Sequence, residues 1–134
     1  MKTFSTLTEL LSIGAPTATA LAAPGRAPLT FEQLRTQVAT TIAALNHAGI
    51  GRGDRVAIVL PNGPEMASAF ICVAAGATAA PLNPAYRAEE FEFYLTDLKA
   101  KALIVSRTDD TPARAVAKKL NVTVIELHAD SNSP

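Results

Sequence analysis

Gly49-Ile50-Gly51-Arg52-Gly53-Asp54 is the stretch whose residue types first suggest chemistry. Backbone N–H groups of a glycine-rich loop can cradle a phosphate. Phosphate loops run from a strand into a helix, so that the helix N-terminus faces the anion. Here a helical pattern precedes the glycines and an apolar strand-like run follows them. That order is reversed, and the stretch reads as a helix stop and turn, with Asp54-Arg55 opening the strand through loop hydrogen bonds.

Asn62-Gly63 and Asn83-Pro84 each follow an apolar run. Ligands of open α/β sheets gather at that edge, beyond the carboxyl ends of the strands. Turn chemistry accounts for Asn62-Gly63. For Asn83-Pro84-Ala85-Tyr86-Arg87, turn and ligand contact both stand open. His47 falls in the last turn of a long helical pattern, where a cation suits the helix dipole. His128 stands alone, and two distant histidines do not make a metal site. Cys72 lies in the apolar segment Ala67–Ala75 and reads as a small core residue. Glu89, Glu90 and Glu92 fit helix-start charge. The sequence contains neither G-x-S-x-G nor G-x-x-x-x-G-K-[ST], so neither hydrolase-triad nor P-loop chemistry has support.

The elements that must position these residues follow from periodicity and punctuation. Phe4 to Ile13 has helical spacing, closed by Gly14. Ala18–Ala23 and Ala27–Thr30 flank Pro24-Gly25-Arg26 and predict a hairpin. Thr30 and Gln33 form a capping box for a helix whose apolar face is Phe31, Leu34, Val38, Ile42 and Leu45; Gly49 ends it. Arg55–Leu60 is a strand, Pro64 opens a helix with Glu65 in its first turn, and Gly76 stops it. Ala77–Leu82 is the next strand, then a helix over Arg87–Lys99 and a strand over Ala102–Val105. Thr111 caps and Pro112 opens a last helix to about Leu120, followed by a strand over Val122–Leu127. The strands are nearly continuous apolar runs, as expected for strands buried on both faces. The class is α/β: a mostly parallel sheet with helices on both faces, preceded by a short β-hairpin. Residues 1–129 form one domain and 130–134 a polar, flexible tail.

Composition narrows the function. The 134 residues are 49% hydrophobic, with 12 basic and 12 acidic side chains and one cysteine. A domain of this size buries about two-thirds of its unfolded surface and needs no disulfide. With no basic excess and few aromatics, nucleic acid is disfavoured. No apolar run approaches the ~18 residues of a membrane span. The start lacks a basic region followed by a continuous apolar one, so a cytoplasmic location is the expectation.

Several segments, in order, resemble the N-terminal part of the AMP-forming acyl-CoA synthetases, the adenylate-forming acid–CoA ligase family. Leu29-Thr30-Phe31-Glu32-Gln33-Leu34 is similar to that family's first core motif. Ala74-Ala75-Gly76-Ala77 leading to Pro81-Leu82-Asn83 is similar to its second. Gly53-Asp54-Arg55-Val56-Ala57-Ile58 with Leu60-Pro61-Asn62 resembles the connecting segment. Asn83-Pro84-Ala85-Tyr86 with Glu89-Glu90 resembles the following turn and helix, and Ala100-Lys101-Ala102-Leu103-Ile104 the next strand. The similarity spans roughly Thr6 to Leu127, and fatty-acyl, coumarate and oxalate ligases look nearest.

The resemblance implies part of the larger N-terminal region of the adenylate-forming fold. It implies a complete enzyme that uses ATP, Mg and CoA to convert a small-molecule carboxylate to an acyl-adenylate and then a thioester. The family's Thr/Ser/Gly-rich loop ending in Pro-Lys-Gly, its acidic Mg ligand, its ribose-binding Asp and its C-terminal lysine have no counterpart here. A fragment inactive alone is expected, binding none of these cofactors tightly, partnered by the remainder of the synthetase chain and prone to self-associate. The resemblance also implies CoA contacts at Asn83, Pro84 and Ala85, and a CoA-phosphate contact at Arg114. The subgroup behind this implication is glycine-rich where this sequence has Asn-Pro-Ala. The rival reading is a stand-alone, non-catalytic α/β module binding a nucleotide or partner at its strand ends.

Overall fold

The computed structural model describes residues 3–130. Its first helix, α1 (Leu7–Leu11), is shorter than the expected Phe4–Ile13. Thr6 forms a capping box with Glu9, and that local pair fixes the start. Strands β1 (Thr19–Leu21) and β2 (Leu29–Thr30) pair antiparallel as the expected hairpin.

Helix α2 (Phe31–His47) begins on the Thr30–Gln33 capping box and buries Leu34, Val38 and Leu45. Gly49, at φ +78°, ends it. The Ile50 N–H reaches the Leu45 carbonyl at 2.8 Å and the Gly49 N–H reaches that of Asn46 at 3.0 Å, a Schellman closure. The same closure ends two later helices on residues that carry a Cβ, Lys99 and Asn121.

The remaining elements alternate: β3 (Arg55–Val59), α3 (Pro64–Ala74), β4 (Thr78–Pro81), α4 (Ala88–Asp97), β5 (Ala102–Ser106), α5 (Pro112–Lys119) and β6 (Thr123–Leu127). Their bounds differ from the expected ones by one or two residues. The four strands form one parallel sheet in the order β4-β3-β5-β6. The chain therefore steps from β3 outward to β4, then returns past β3 to lay down β5 and β6. Right-handed crossovers in opposite directions place their helices on opposite faces.

Alternation along the central strands confirms the two-sided burial. Val56 and Ile58 of β3, with Ala102 and Ile104 of β5, pack with Ala69 and Val73 of α3 and Leu45 of α2. Ala57 and Val59, with Leu103 and Val105, pack with Phe91 and Leu95 of α4 and Ala113, Val116 and Ala117 of α5. A smaller cluster of Leu29, Leu34, Val38 and Cys72 ties the hairpin and α2 to α3. Gly76 is not in the left-handed region. A Cβ there would sit 2.7 Å from Cγ1 of Ile42, so glycine is needed for α2 to approach the end of α3. Apart from Asp130, the tail expected to be flexible lies outside the described residues.

Candidate functional site at the carboxyl edge of the sheet

The Gly49–Asp54 loop enters β3 and so lies at the opposite, amino edge of the sheet. The N–H groups of Gly49, Ile50, Gly51 and Asp54 donate within the chain. The Gly51 N–H donates to Asp54 Oδ2 at 2.8 Å, and Lys101 Nζ donates to the Gly49 carbonyl at 2.6 Å and lies 3.3 Å from Asp54 Oδ2. The Gly51 N–H, then Lys101, hold the Asp54 carboxyl below its ordinary range. This is the turn that the order of elements predicts, and it closes the sheet rather than receiving an anion.

At the carboxyl edge, the turn after β4 is built by its own asparagine. Asn83 Oδ1 accepts from the Ala85 N–H at 2.9 Å, and the Asn83 carbonyl accepts from the Tyr86 N–H at 3.2 Å. That Asx-type turn leaves Asn83, Pro84 and Ala85 exposed. Tyr86 behind it stacks on Tyr94, with ring centroids 5.1 Å apart. The Tyr94 hydroxyl as hydrogen-bond partner, then burial, push the Tyr86 phenol above its ordinary value.

Arg114 sits in the first turn of α5, capped by Thr111 and opened by Pro112 as expected. Its guanidinium folds back into the chain. Nε donates to the Asp109 carbonyl at 2.9 Å, Nη2 to the Ser106 carbonyl at 2.6 Å, and Nη1 to Glu126 Oε1 at 2.7 Å. Arg114 thus fastens the loop after β5 to β6. Asn83 follows β4, on the far side of β3. With strands ~4.8 Å apart, the two positions share an edge roughly 10–15 Å apart. Only an extended ligand would touch both.

A cavity of about 200 Å³ opens at the same edge, between the hairpin, α3 and the segment after β6. Arg26 and Glu65 form its polar wall, with Nη1 to Oε1 at 2.6 Å, and Gln37, Ser68 and His128 also line it. Arg26 Nη2 lies 3.4 Å from the Asp130 carbonyl, and Nε is buried without a hydrogen-bond partner. The Arg26 guanidinium holds the Glu65 carboxyl below its ordinary value. Sequence reasoning missed this pair because its members stand 39 residues apart.

Cys72 is buried, and burial pushes its thiol up, as suits a core cysteine. Among the described residues, no group of three His, Cys, Asp or Glu could hold a metal ion. No helix among them is long and apolar enough to cross a membrane.

Residues 14–134 match the family model described as AMP-binding enzyme. The chain is 42% identical over 123 residues to an oxalate–CoA ligase of Arabidopsis thaliana, covering 90% of this chain and 24% of that one. It is 44% identical over 105 residues to a probable CoA ligase of Humulus lupulus, covering 78% of this chain and 20% of that one. The fold matches apo MatB from Rhodopseudomonas palustris with a TM-score of 0.79 at 24% identity, over 94% of this chain and 26% of that one. The chain therefore spans a fifth to a quarter of the length of these relatives.

Proposed function

The chain belongs to the AMP-binding enzyme family, and from that premise we propose that it is the N-terminal part of an acid–CoA ligase. The complete protein joins a carboxylate to CoA through an acyl-adenylate, with Mg-ATP as the activating reagent, in the cytoplasm. The observation that carries this reading is the 42% identity to an oxalate–CoA ligase over nine-tenths of the chain. Ordered motifs from Leu29 to Ile104 support it.

The 134 residues alone do not catalyse adenylation. They contain no Pro-Lys-Gly tripeptide, and among the described residues no three His, Cys, Asp or Glu side chains gather into a group that could hold a metal ion. Charge developing at the α-phosphate would find no clamp of cations or aligned dipoles. The chain's contribution is one wall of the CoA path along the carboxyl edge. Asn83, Pro84 and Ala85 offer a short exposed turn to the nucleotide. Arg114 offers a guanidinium that is already paired with Glu126.

ATP–pyrophosphate exchange with oxalate, ferulate and a fatty acid tests the reading on two proteins. One is this chain; the other is this chain continued to the length of its relatives. The short chain is expected to give no exchange, and the long one exchange with one acid. Exchange by the short chain, retained after repurification, overturns its inactivity. A folded long chain inert with every acid overturns the ligase reading.

A further inference from the structure

The outer face of α4 holds a large aromatic ring in solvent. Phe93 is 63% exposed, yet the ring is held. It meets Tyr94 edge to face, with centroids 5.2 Å apart at 80°. Tyr94 stacks on Tyr86 at 5.1 Å and 12°, and Tyr86 meets the fully buried Phe91 at 5.8 Å and 68°. A continuous row of rings therefore runs from the core to a surface tip. A pre-ordered ring loses little conformational freedom when a partner covers it.

Along its own helix face the tip meets one sign of charge, with the basic Arg87 at the N-cap and Lys119 held by Glu92. Residues three and four apart share a helix face, which puts Glu89, Glu90 and Asp97 around Phe93, all of them exposed. Helix α4 carries no basic side chain. The ion pairs among the described residues use Glu92, through Lys119, but not Glu89, Glu90 or Asp97; Glu90 Oε2 accepts from the Arg87 N–H at 2.8 Å and keeps its other oxygen for a partner.

We propose that this face docks a cationic peptide segment that lays an arginine guanidinium over the Phe93 ring and turns further basic side chains to Glu89, Glu90 and Asp97. An exposed aromatic ring attracts a cation through its quadrupole. A guanidinium stacks on it better than an ammonium, because it is planar and more weakly hydrated. A central aromatic residue ringed by polar ones is also the usual form of an interface hot spot. The carboxylates repel nucleic acid and anionic lipid. The proposal goes beyond the ligase reading and requires that this face stay open in the complete protein.

Titration with N-acetylated nona-arginine and nona-lysine at about 0.15 M salt, followed by amide NMR shifts, tests it. Nona-arginine is expected to shift residues 89–97 and to bind several-fold tighter than nona-lysine. Phe93→Ala leaves the charge unchanged and is expected to weaken nona-arginine about tenfold. Glu89→Gln with Asp97→Asn is expected to weaken it and flatten its salt dependence. Undiminished binding by Phe93→Ala, shifts centred elsewhere, equal binding of nona-lysine, or no binding each overturn the proposal.

Discussion

Arg114 and Glu126 bind each other at 2.7 Å across the last crossover, and the same guanidinium closes two carbonyls of the loop that follows β5. Position 114 therefore has a structural task whether or not CoA reaches it. Its side chain is 26% exposed and that of Glu126 48%, so solvent screens the ion pair. The two carbonyl bonds carry more of the effect. Arg114→Ala is expected to cost about 1–2 kcal/mol in urea unfolding, and Glu126→Gln less than about 1 kcal/mol. In the complete enzyme, Arg114→Ala raises KM for CoA if the contact exists. Glu126→Gln, which frees the guanidinium, leaves KM unchanged or lowers it. A stability loss in Arg114→Ala with KM for CoA unmoved confines the residue to its loop.

Lys99 holds φ at +49° to close α4, a conformation that a Cβ disfavours. Lys99→Gly is expected to stabilise by about 0.5–1 kcal/mol after allowing for the greater freedom of glycine in the unfolded chain. The urea midpoint should rise with the slope unchanged. A fall would mean that the lysine side chain contributes more than its backbone costs.

Gly76 and Gly51 should respond unequally to the same change. A Cβ at 76 would meet Ile42 Cγ1 at 2.7 Å, whereas one at 51 would find only Asn46 Oδ1 at 3.7 Å. Gly76→Ala is expected to cost about 1–3 kcal/mol through overpacking. Gly51→Ala should stay within about 0.5 kcal/mol of the parent. Thermal unfolding of both variants checks the contrast.

The clasp between Arg26 and Glu65 sets a pH dependence. Glu65 has an ordinary pKa of 4.5, and its folded value is lowered by the Arg26 hydrogen bond. The unfolded chain therefore binds the proton first as pH falls. The stabilisation is complete above about 4.5 and is lost as pH drops through the lower folded value. Glu65→Gln should lower stability near neutrality and flatten this part of the acid-side slope. An unchanged slope between about pH 5 and 3 would show that Asp54 and Glu9, also shifted down, account for the whole.

Strand β6 is an edge of the sheet, with Thr123 exposed and no proline in the strand. An apolar groove of about 450 Å³ lies beside it, lined by Ala69, Cys72, Ile104, Ile125 and Leu127. Unpaired edges of this kind template pairing with another chain. The 134-residue chain is expected to sediment as an associating species, and Thr123→Lys to shift it toward monomer. A parent that stays monomeric at high concentration counts against edge pairing.

The sequence by itself determined which elements exist and where most of them start and stop. Those signals act within one helical turn or one strand: Thr30 with Gln33, Gly49 after His47, Pro64 at the first helical position, Thr111 before Pro112. The unbroken apolar runs of β3 and β5 likewise announced burial on both faces. Strand order was decided only by tertiary packing, because β5 could have added beside β4 with every local preference equally satisfied. The use of Arg114 is likewise tertiary. Helical position put it near a free helix start, but the arrival of β6 brought Glu126 to it. The Arg26–Glu65 clasp and the need for glycine at 76 arise the same way, from side chains that meet only when separate helices and the hairpin close on one sheet. Local hydrogen bonds and backbone preferences are written in neighbouring residues; charge pairing and steric approach between distant segments exist only once the core has brought them together.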